Sequence, residues 1–537
     1  MELHPDEAYQ WVVSRYLDWG YFHHPPMIAA FIKIGYSLFQ NELGVRLITV
    51  LASTLGIPIL FKLSETEDVK TFLLIFLGLV LTHVGVFMAA PDSPLIFFTL
   101  VFLVLLKRYL EKDSIRVALA LGVVVAALLY SKYHAIILLG SCIIAAPKLM
   151  LRRSFWVIVI ISVILFLPHV LWQFQHDFIS YKFNWVIREK KSWDITILLD
   201  YLAGQLLLLA PVGIFLILAI SKYKHKSHFD RILVAIIIGV FGFFFVMGLR
   251  GKVEANWTAI AFLPLIILGS RALPNQPRLL RVFQPVTIVF ISILILTRCY
   301  LATPWAGQGL PTVFPLKGWN QWALAIKEKA QGKPVFFTSS YQYASQYSFY
   351  SGEQGYHWSP LNYNGNQFEL WDIDQKLEGQ PFVIVTGFGN DSTKAVTTEG
   401  FRTMYVHPQV AYHSYRNLRF EFEESEIEKD AGIELVLNGT LRNQTASRIN
   451  LDSLLSTRPV KVFFYINGKP LPSKRIKCNG CAGQLDTNET KPVSFVIQTP
   501  SEPGKYFFRF GLDFGLAMAE QNSDFIKLMV MKNKAVK

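Results

Sequence analysis

The chain is short of charge. Asp, Glu, Lys and Arg make up 17% of its 537 residues, against about 25% in an average soluble domain. With 52% hydrophobic residues, a disordered chain, a coiled coil and a collagen-like fibre are all excluded. Cysteine is scarce as well. Four are too few for a disulfide scaffold, and the CNGC of Cys478 and Cys481 has no second pair to complete a zinc site. On an extracytoplasmic tail that pair would close a local disulfide; otherwise it is two free thiols in a loop. Cys142 and Cys299 fall in or beside apolar segments and read as packing. No basic stripe interleaved with aromatics is present, so the net charge of +13 does not point to nucleic acid. Internal repeats and low-complexity stretches are also missing.

The apolar residues are concentrated between about residues 43 and 299, in runs of the length a bilayer core demands. Ten spans are expected: 43–63, 71–89, 93–109, 116–130, 134–147, 155–172, 198–219, 231–249, 256–271 and 280–298. The positive excess sits in the short loops between them. Lys107, Arg108, Lys112 and Arg116 fill one, and Lys148, Arg152 and Arg153 the next. Lys222, Lys224, Lys226 and Arg231 fill a third, and Arg271, Arg278 and Arg281 a fourth. Basic short loops mark the cytoplasmic side. Residues 1–42, the turns at 91–94, 131–134 and 250–256, residues 173–197 and the whole tail then face outside. A chain that starts outside needs a span to carry it there. The expectation is that a first transmembrane helix is missing, with unaided crossing of the short N-terminal segment as the alternative.

Residues 7–40 are helical in pattern but too polar to span, and read as two interfacial helices within an outer loop of residues 1–42. The transmembrane domain is expected over 43–299. Residues 300–412 mix a helix (319–330) with strands at 334–338 and 382–386, an α/β pattern, and 413–537 alternate as a small β-sandwich. The fold class is therefore a polytopic α-helical membrane protein with a C-terminal extracytoplasmic α/β plus β-sandwich region.

Ionisable residues at membrane edges are costly and are functional candidates by default. Asp6 and Glu7 open the first interfacial helix, where an acid also serves as an ordinary cap. His23 and His24 precede Pro25-Pro26 and suit a metal, a phosphate or a plain loop. Asp92 is pinned in a short turn, as catalyst or cap. Lys132 lies between apolar spans, either snorkelling or facing inward. Lys252 stands two residues from Glu254, its own candidate partner, and Arg46 lies early in the first span. Together they gather carboxylates and cations on one side of the membrane, as a lipid-linked sugar phosphate requires. Cations would hold the leaving phosphate while a carboxylate takes the proton of the acceptor hydroxyl.

The segment PDEAYQWVVSRYLDWGYFHHPPMIAAFIKIGYSLFQNELGVRL resembles the opening outer loop of bacterial membrane glycosyltransferases of family 39. These are relatives of protein O-mannosyltransferases and aminoarabinose transferases, with the GT-C fold. APDSPLIFF, SKYHAIILL, PHVLWQFQHDFISYKF, GKVEANWTAIAFLPLI and YQYASQYSFY follow in family order, over about residues 3–380. The sandwich after residue 415 carries no such resemblance.

The resemblance implies an inverting transfer from a polyprenyl-phosphate sugar (undecaprenyl, in a bacterium) to a lipid, glycan or protein acceptor on the outer face of the plasma membrane. Asp6 corresponds to the first-loop acid, the base or acceptor-orienting group, with Glu7 beside it and Asp92 as the second-loop acid. His24 replaces the Lys that aminoarabinose transferases carry before the loop proline. Arg46, Lys132 and Lys252 are the further donor-phosphate candidates. Some relatives bind a divalent cation in this cleft, which makes Asp6 and His24 candidate ligands. Tyr341, Gln342 and Ser345 in the tail are candidates for the acceptor side. Family members normally carry a helix before the first-loop acid, in line with the expected missing span. The competing readings are a lipid or polysaccharide flippase, which needs charges along a path to the cytoplasmic side, and a non-catalytic glycan-binding membrane protein.

Overall fold

The computed structural model describes residues 1–532 except 86, 184–194, 225–226, 304–316, 359–364, 372, 391–392, 399, 467–468 and 516–517. They form two compact units, Met1–Asn320 and Gln321–Lys537.

The first unit is helical. Helix α1 (Pro5–Ser14) starts with a reciprocal cap: His4 accepts from the Asp6 N–H, and the Glu7 side chain accepts from the His4 N–H. Pro5 occupies the first helical position, where its missing N–H costs nothing. After α2 (Met27–Leu38), Asn41 caps α3 (Glu42–Ser64) by accepting from the N–H groups of Leu43 and Gly44. The chain continues through α4 (Val69–Gly78), α5 (Val80–Gly85), α6 (Asp92–Glu111), α7 (Ile115–Ser131) and α8 (Ala135–Ala145). It then forms α9 (Arg153–Gln175), the single turn α10 (Ile179–Tyr181), α11 (Ile195–Leu209) and α12 (Val212–Ser221). Helix α13 (His228–Gly248), a 3-10 helix at Ala255–Ala261, α14 (Phe262–Ala272) and α15 (Pro277–Ala302) complete the unit.

The ten expected spans fall on helices of unequal length. Among the described residues six helices are long and apolar enough to cross a bilayer, or seven if the bent pair α11–α12 counts as one. That pair turns by 88° at the Ala210-Pro211 step, where proline removes a helical hydrogen bond and its ring crowds the preceding turn. The span expected at 71–89 is two short helices, α4 and α5. Helices α7 and α8 have 17 and 11 residues, short of the roughly 20 a bilayer core requires.

At the end of the bundle that carries the basic loops, Arg271 on α14 ties three helices together. Its guanidinium donates to Asp230 Oδ1 on α13 (2.5 Å) and to the carbonyls of Leu63 (2.6 Å) and Ser64 (3.1 Å), which end α3. Those carbonyls have no partner within their own helix, and a cation there also complements the helix dipole.

In the second unit, helix α16 (Trp319–Ala330), whose first residues straddle the boundary, and α17 (Tyr341–Ser351) accompany a five-stranded sheet. Its strand order is 355–357, 335–337, 382–386, 404–409, 394–396, with the first three parallel. A β-sandwich follows. One sheet is built around 460–466, 504–515, 526–531 and 426–430, and the other around 490–498, 434–443 and 418–421. Phe420, Leu437, Phe495, Phe508, Phe510 and Leu528 fill the space between them. The α/β part and the sandwich pack as one unit, with the Trp358 ring on Phe514 at 4.7 Å between centroids. Cys478 and Cys481 are disulfide-bonded.

Candidate active site

The two adjacent acids of α1 have opposite fates. Glu7 is buried, with 1% of its side chain exposed. Its carboxylate accepts four hydrogen bonds: from Arg46 Nε (2.8 Å), Arg46 Nη2 (2.5 Å), Ala89 N (2.9 Å) and His4 N (2.9 Å). Arg46 also donates to the carbonyls of Met1 and Glu2. Glu7 is thus a structural clamp joining α1 to α3 and to the loop before α6. The polar atoms of Glu7 and Arg46, expected at the catalytic and phosphate positions, are bonded here to each other and to the backbone. Asp6, the residue before Glu7, has 53% of its side chain exposed. Its carboxylate lies 3.6 Å from His4 Nδ1. That nitrogen accepts from the Asp6 N–H, which places the imidazole proton on Nε2.

A second cluster is built from three loops distant in sequence. Asp92 begins α6, Lys132 follows α7, and Asn256 lies on the 3-10 helix. Lys132 Nζ donates to Asp92 Oδ1 at 2.8 Å, and Asn256 Nδ2 donates to Oδ2 at 2.9 Å. The Lys132 side chain is only 5% exposed, so it faces inward rather than snorkelling. Because Glu7 holds Ala89, three residues before Asp92, the helix bearing Asp6 is docked on the loop that leads into this cluster.

Around it runs a relay of aromatic and polar groups. His169 Nδ1 meets the Trp19 carbonyl at 2.7 Å and must carry the hydrogen, which leaves Nε2 to accept from the Tyr133 hydroxyl at 2.9 Å. Gln173 donates to the Tyr133 oxygen, and Trp172 Nε1 donates to Asp18 Oδ2 at 2.7 Å. Beside this relay an open cleft of about 470 Å³ lies between Leu17, Asp18, Trp19, Pro26, Met27 and Tyr130.

The other expected residues are not all gathered here. His24 is half-buried beside His23, whose Nδ1 meets the Tyr9 hydroxyl at 3.2 Å. Lys252 is 57% exposed and pairs with Glu254 Oε1 at 2.9 Å. In the second unit, Ser345 is fully buried and returns its hydroxyl to the Tyr341 carbonyl, and the Gln342 N–H donates to Ser340 Oγ. Among the described residues no three His, Cys, Asp or Glu side chains are arranged to hold a metal ion. Asn256, Tyr133 and His169 escaped the charge-based reading because they are neutral; their only signal was membership of the motif strings.

Comparison with known proteins agrees with this architecture. Residues 23–172 match the family described as dolichyl-phosphate-mannose-protein mannosyltransferase, a segment that includes Asp92 and Lys132 but not Asp6. The lipid A galacturonosyltransferase RgtD of Rhizobium johnstonii is 25% identical over 283 residues, or 49% of this chain and 59% of that protein. The chain thus spans somewhat over half the length of that relative. The crystal structure of ArnT from Cupriavidus metallidurans, bound to undecaprenyl phosphate, superposes with a TM-score of 0.53 at 15% identity. That match covers 75% of this chain and 94% of ArnT. In fold this chain is a GT-C-type multi-pass membrane protein, and its residues 23–172 match the model of the mannosyltransferase family.

Proposed function

We propose that the protein transfers a sugar from a polyprenyl-phosphate donor to a lipid acceptor of the lipid A type, at the outer face of the plasma membrane. The observation that carries this reading is the joining of Asp92, Lys132 and Asn256 under the helix that presents Asp6. The named relatives supply the substrate classes: undecaprenyl phosphate from ArnT and lipid A from RgtD. An apolar groove lined by Gly56, Leu60, Ser93, Leu100 and Phe262 lies beside the start of α6 and suits an isoprenoid tail. The basic loops favour a cytoplasmic location for their end of the bundle, and the tail then lies outside.

The chemistry is a single displacement. The acceptor oxygen forms a bond to the anomeric carbon while the bond from that carbon to the donor phosphate oxygen breaks. The electron pair leaves with the phosphate, and the configuration inverts. Asp6, the exposed carboxylate, takes the acceptor proton. Lys132 stabilises the negative charge that returns to the departing lipid phosphate.

The test is a membrane assay of wild type and Asp6→Asn with a panel of radiolabelled polyprenyl-phosphate sugars. Transfer from one donor by wild type, reduced about 10²–10⁴-fold in the variant at equal expression, supports the reading. Equal transfer in both removes Asp6 from the mechanism. No transfer from any donor favours a binding or flipping protein.

A further inference from the structure

Asp92 does not meet Lys132 alone. Its second oxygen is held by the neutral amide of Asn256, and that amide is itself fixed from behind. Gln205 on α11 donates to the Ala255 carbonyl at 2.9 Å, and its side-chain oxygen accepts from the buried Thr258 hydroxyl at 2.8 Å. The start of the 3-10 helix is therefore pinned on both sides of Asn256. The amide is presented at a set place rather than on a free loop.

A neutral donor at this point has a physical consequence. Lys132 and Asp92 compensate each other's charge with side chains only 5% and 15% exposed, where an uncompensated ion is expensive, while Asn256 reaches Asp92 from the exposed rim of the pair. An arriving phosphate competes with Asp92 for the ammonium, which can donate three hydrogen bonds. As Lys132 shares itself with the phosphate, Asp92 needs another donor to remain an ion in place. A second cation there would neutralise Asp92 outright, whereas an amide supplies a hydrogen bond without charge.

Resting on the function proposed above, we infer that Asn256 is a positioning residue that holds the Asp92 carboxylate so that Lys132 is aimed at the donor phosphate. Asp92 is then the counter-ion of the phosphate-binding lysine rather than a second base. Asn256 touches neither the sugar nor the phosphate and acts through Asp92.

The experiment measures binding of undecaprenyl phosphate to the detergent-solubilised full chain, for wild type, Asn256→Ala, Asn256→Asp and Lys132→Ala, with thermal melts alongside. Loss of one hydrogen bond to a charged group weakens binding about tenfold in Asn256→Ala, at every pH. Asn256→Asp sets a carboxylate against Asp92 and weakens binding further near neutral pH. That variant recovers as pH falls through the carboxylate range, because a protonated Asp is nearly isosteric with Asn and donates again. A purely structural role gives no such recovery. If Asn256→Ala and Asn256→Asp bind as wild type while Lys132→Ala does not, the positioning role is overturned and the donor-phosphate site stands. If Lys132→Ala binds undecaprenyl phosphate as wild type does, the reading of the site itself is overturned. If Asn256→Ala fails to fold, the pH recovery of Asn256→Asp still decides: recovery supports the role and its absence overturns it.

Discussion

Glu7 and Arg46, 39 residues apart, close a two-pronged ion pair in which Nε meets Oε1 at 2.8 Å and Nη2 meets Oε2 at 2.5 Å. The planar guanidinium matches the carboxylate in a way a lysine could not. The same carboxylate also holds Ala89 N at 2.9 Å. One buried side chain therefore fixes α1, α3 and the loop before Asp92 with respect to one another.

Breaking that pair strands a buried charge. Glu7→Gln and Arg46→Met should each cost roughly 3 kcal/mol and lower the melting temperature of the full chain in detergent. The double variant should lose less than the sum of the two, because neither charge is left alone. Thermal melts of the four proteins form the double-mutant cycle, and strictly additive losses would show that the pair contributes no coupling.

Glu520 predicts a pH effect in the second unit. Its side chain is buried, Oε1 accepts from Tyr415 N at 3.1 Å, and Oε2 has no hydrogen-bond partner among the described residues. Burial pushes its carboxyl up to about 8, against the lowering effects of the Tyr415 bond, Arg416 and Arg458, while Asp374 raises it further. A carboxyl raised in the folded state contributes stability that is complete below its unfolded value and is lost as pH rises towards 8. The slope is about 1.4 kcal/mol per pH unit for one proton. Glu520→Gln removes this titration. Hydrogen exchange over residues 412–416 should quicken between pH 5 and 8 in wild type relative to the variant, after correction for the intrinsic pH dependence. Parallel profiles would sink the assignment.

Arg271→Lys keeps the charge but loses the fork that reaches Asp230, Leu63 and Ser64 at once. At least one helix-end carbonyl is then left without a donor, at a cost of about 2 kcal/mol. The melting temperature should fall. A Lys variant as stable as wild type would mean that those carbonyls find other donors.

Several features were legible from residue order alone because they depend on local chemistry. The long apolar runs at α3, α6, α9, α13 and α15 each satisfy their own backbone, so their length suffices to mark them as spans. The strands at 460–466 and 490–498 follow from the alternation of apolar and polar residues, and the loops that carry the site were marked by charge next to apolar runs. Local pattern did not reveal the bend at Pro211 or the short helices within expected spans, since neighbouring helices decide whether a broken segment is tolerated.

Partner choice belonged to the tertiary structure. Asp6 and Glu7 are adjacent acids on one helix, and only the packing of α1 against α3 made Glu7 the clamp and left Asp6 exposed. Lys132 and Asn256 lie 40 and 164 residues from Asp92. Lys252, a phosphate candidate ranked after Lys132, lies in an exposed turn with Glu254. Membrane class follows from the sequence because it is a sum over residues. The site waits on the fold because a hydrogen bond needs donor and acceptor within about 3 Å, a condition that only the packed helices set.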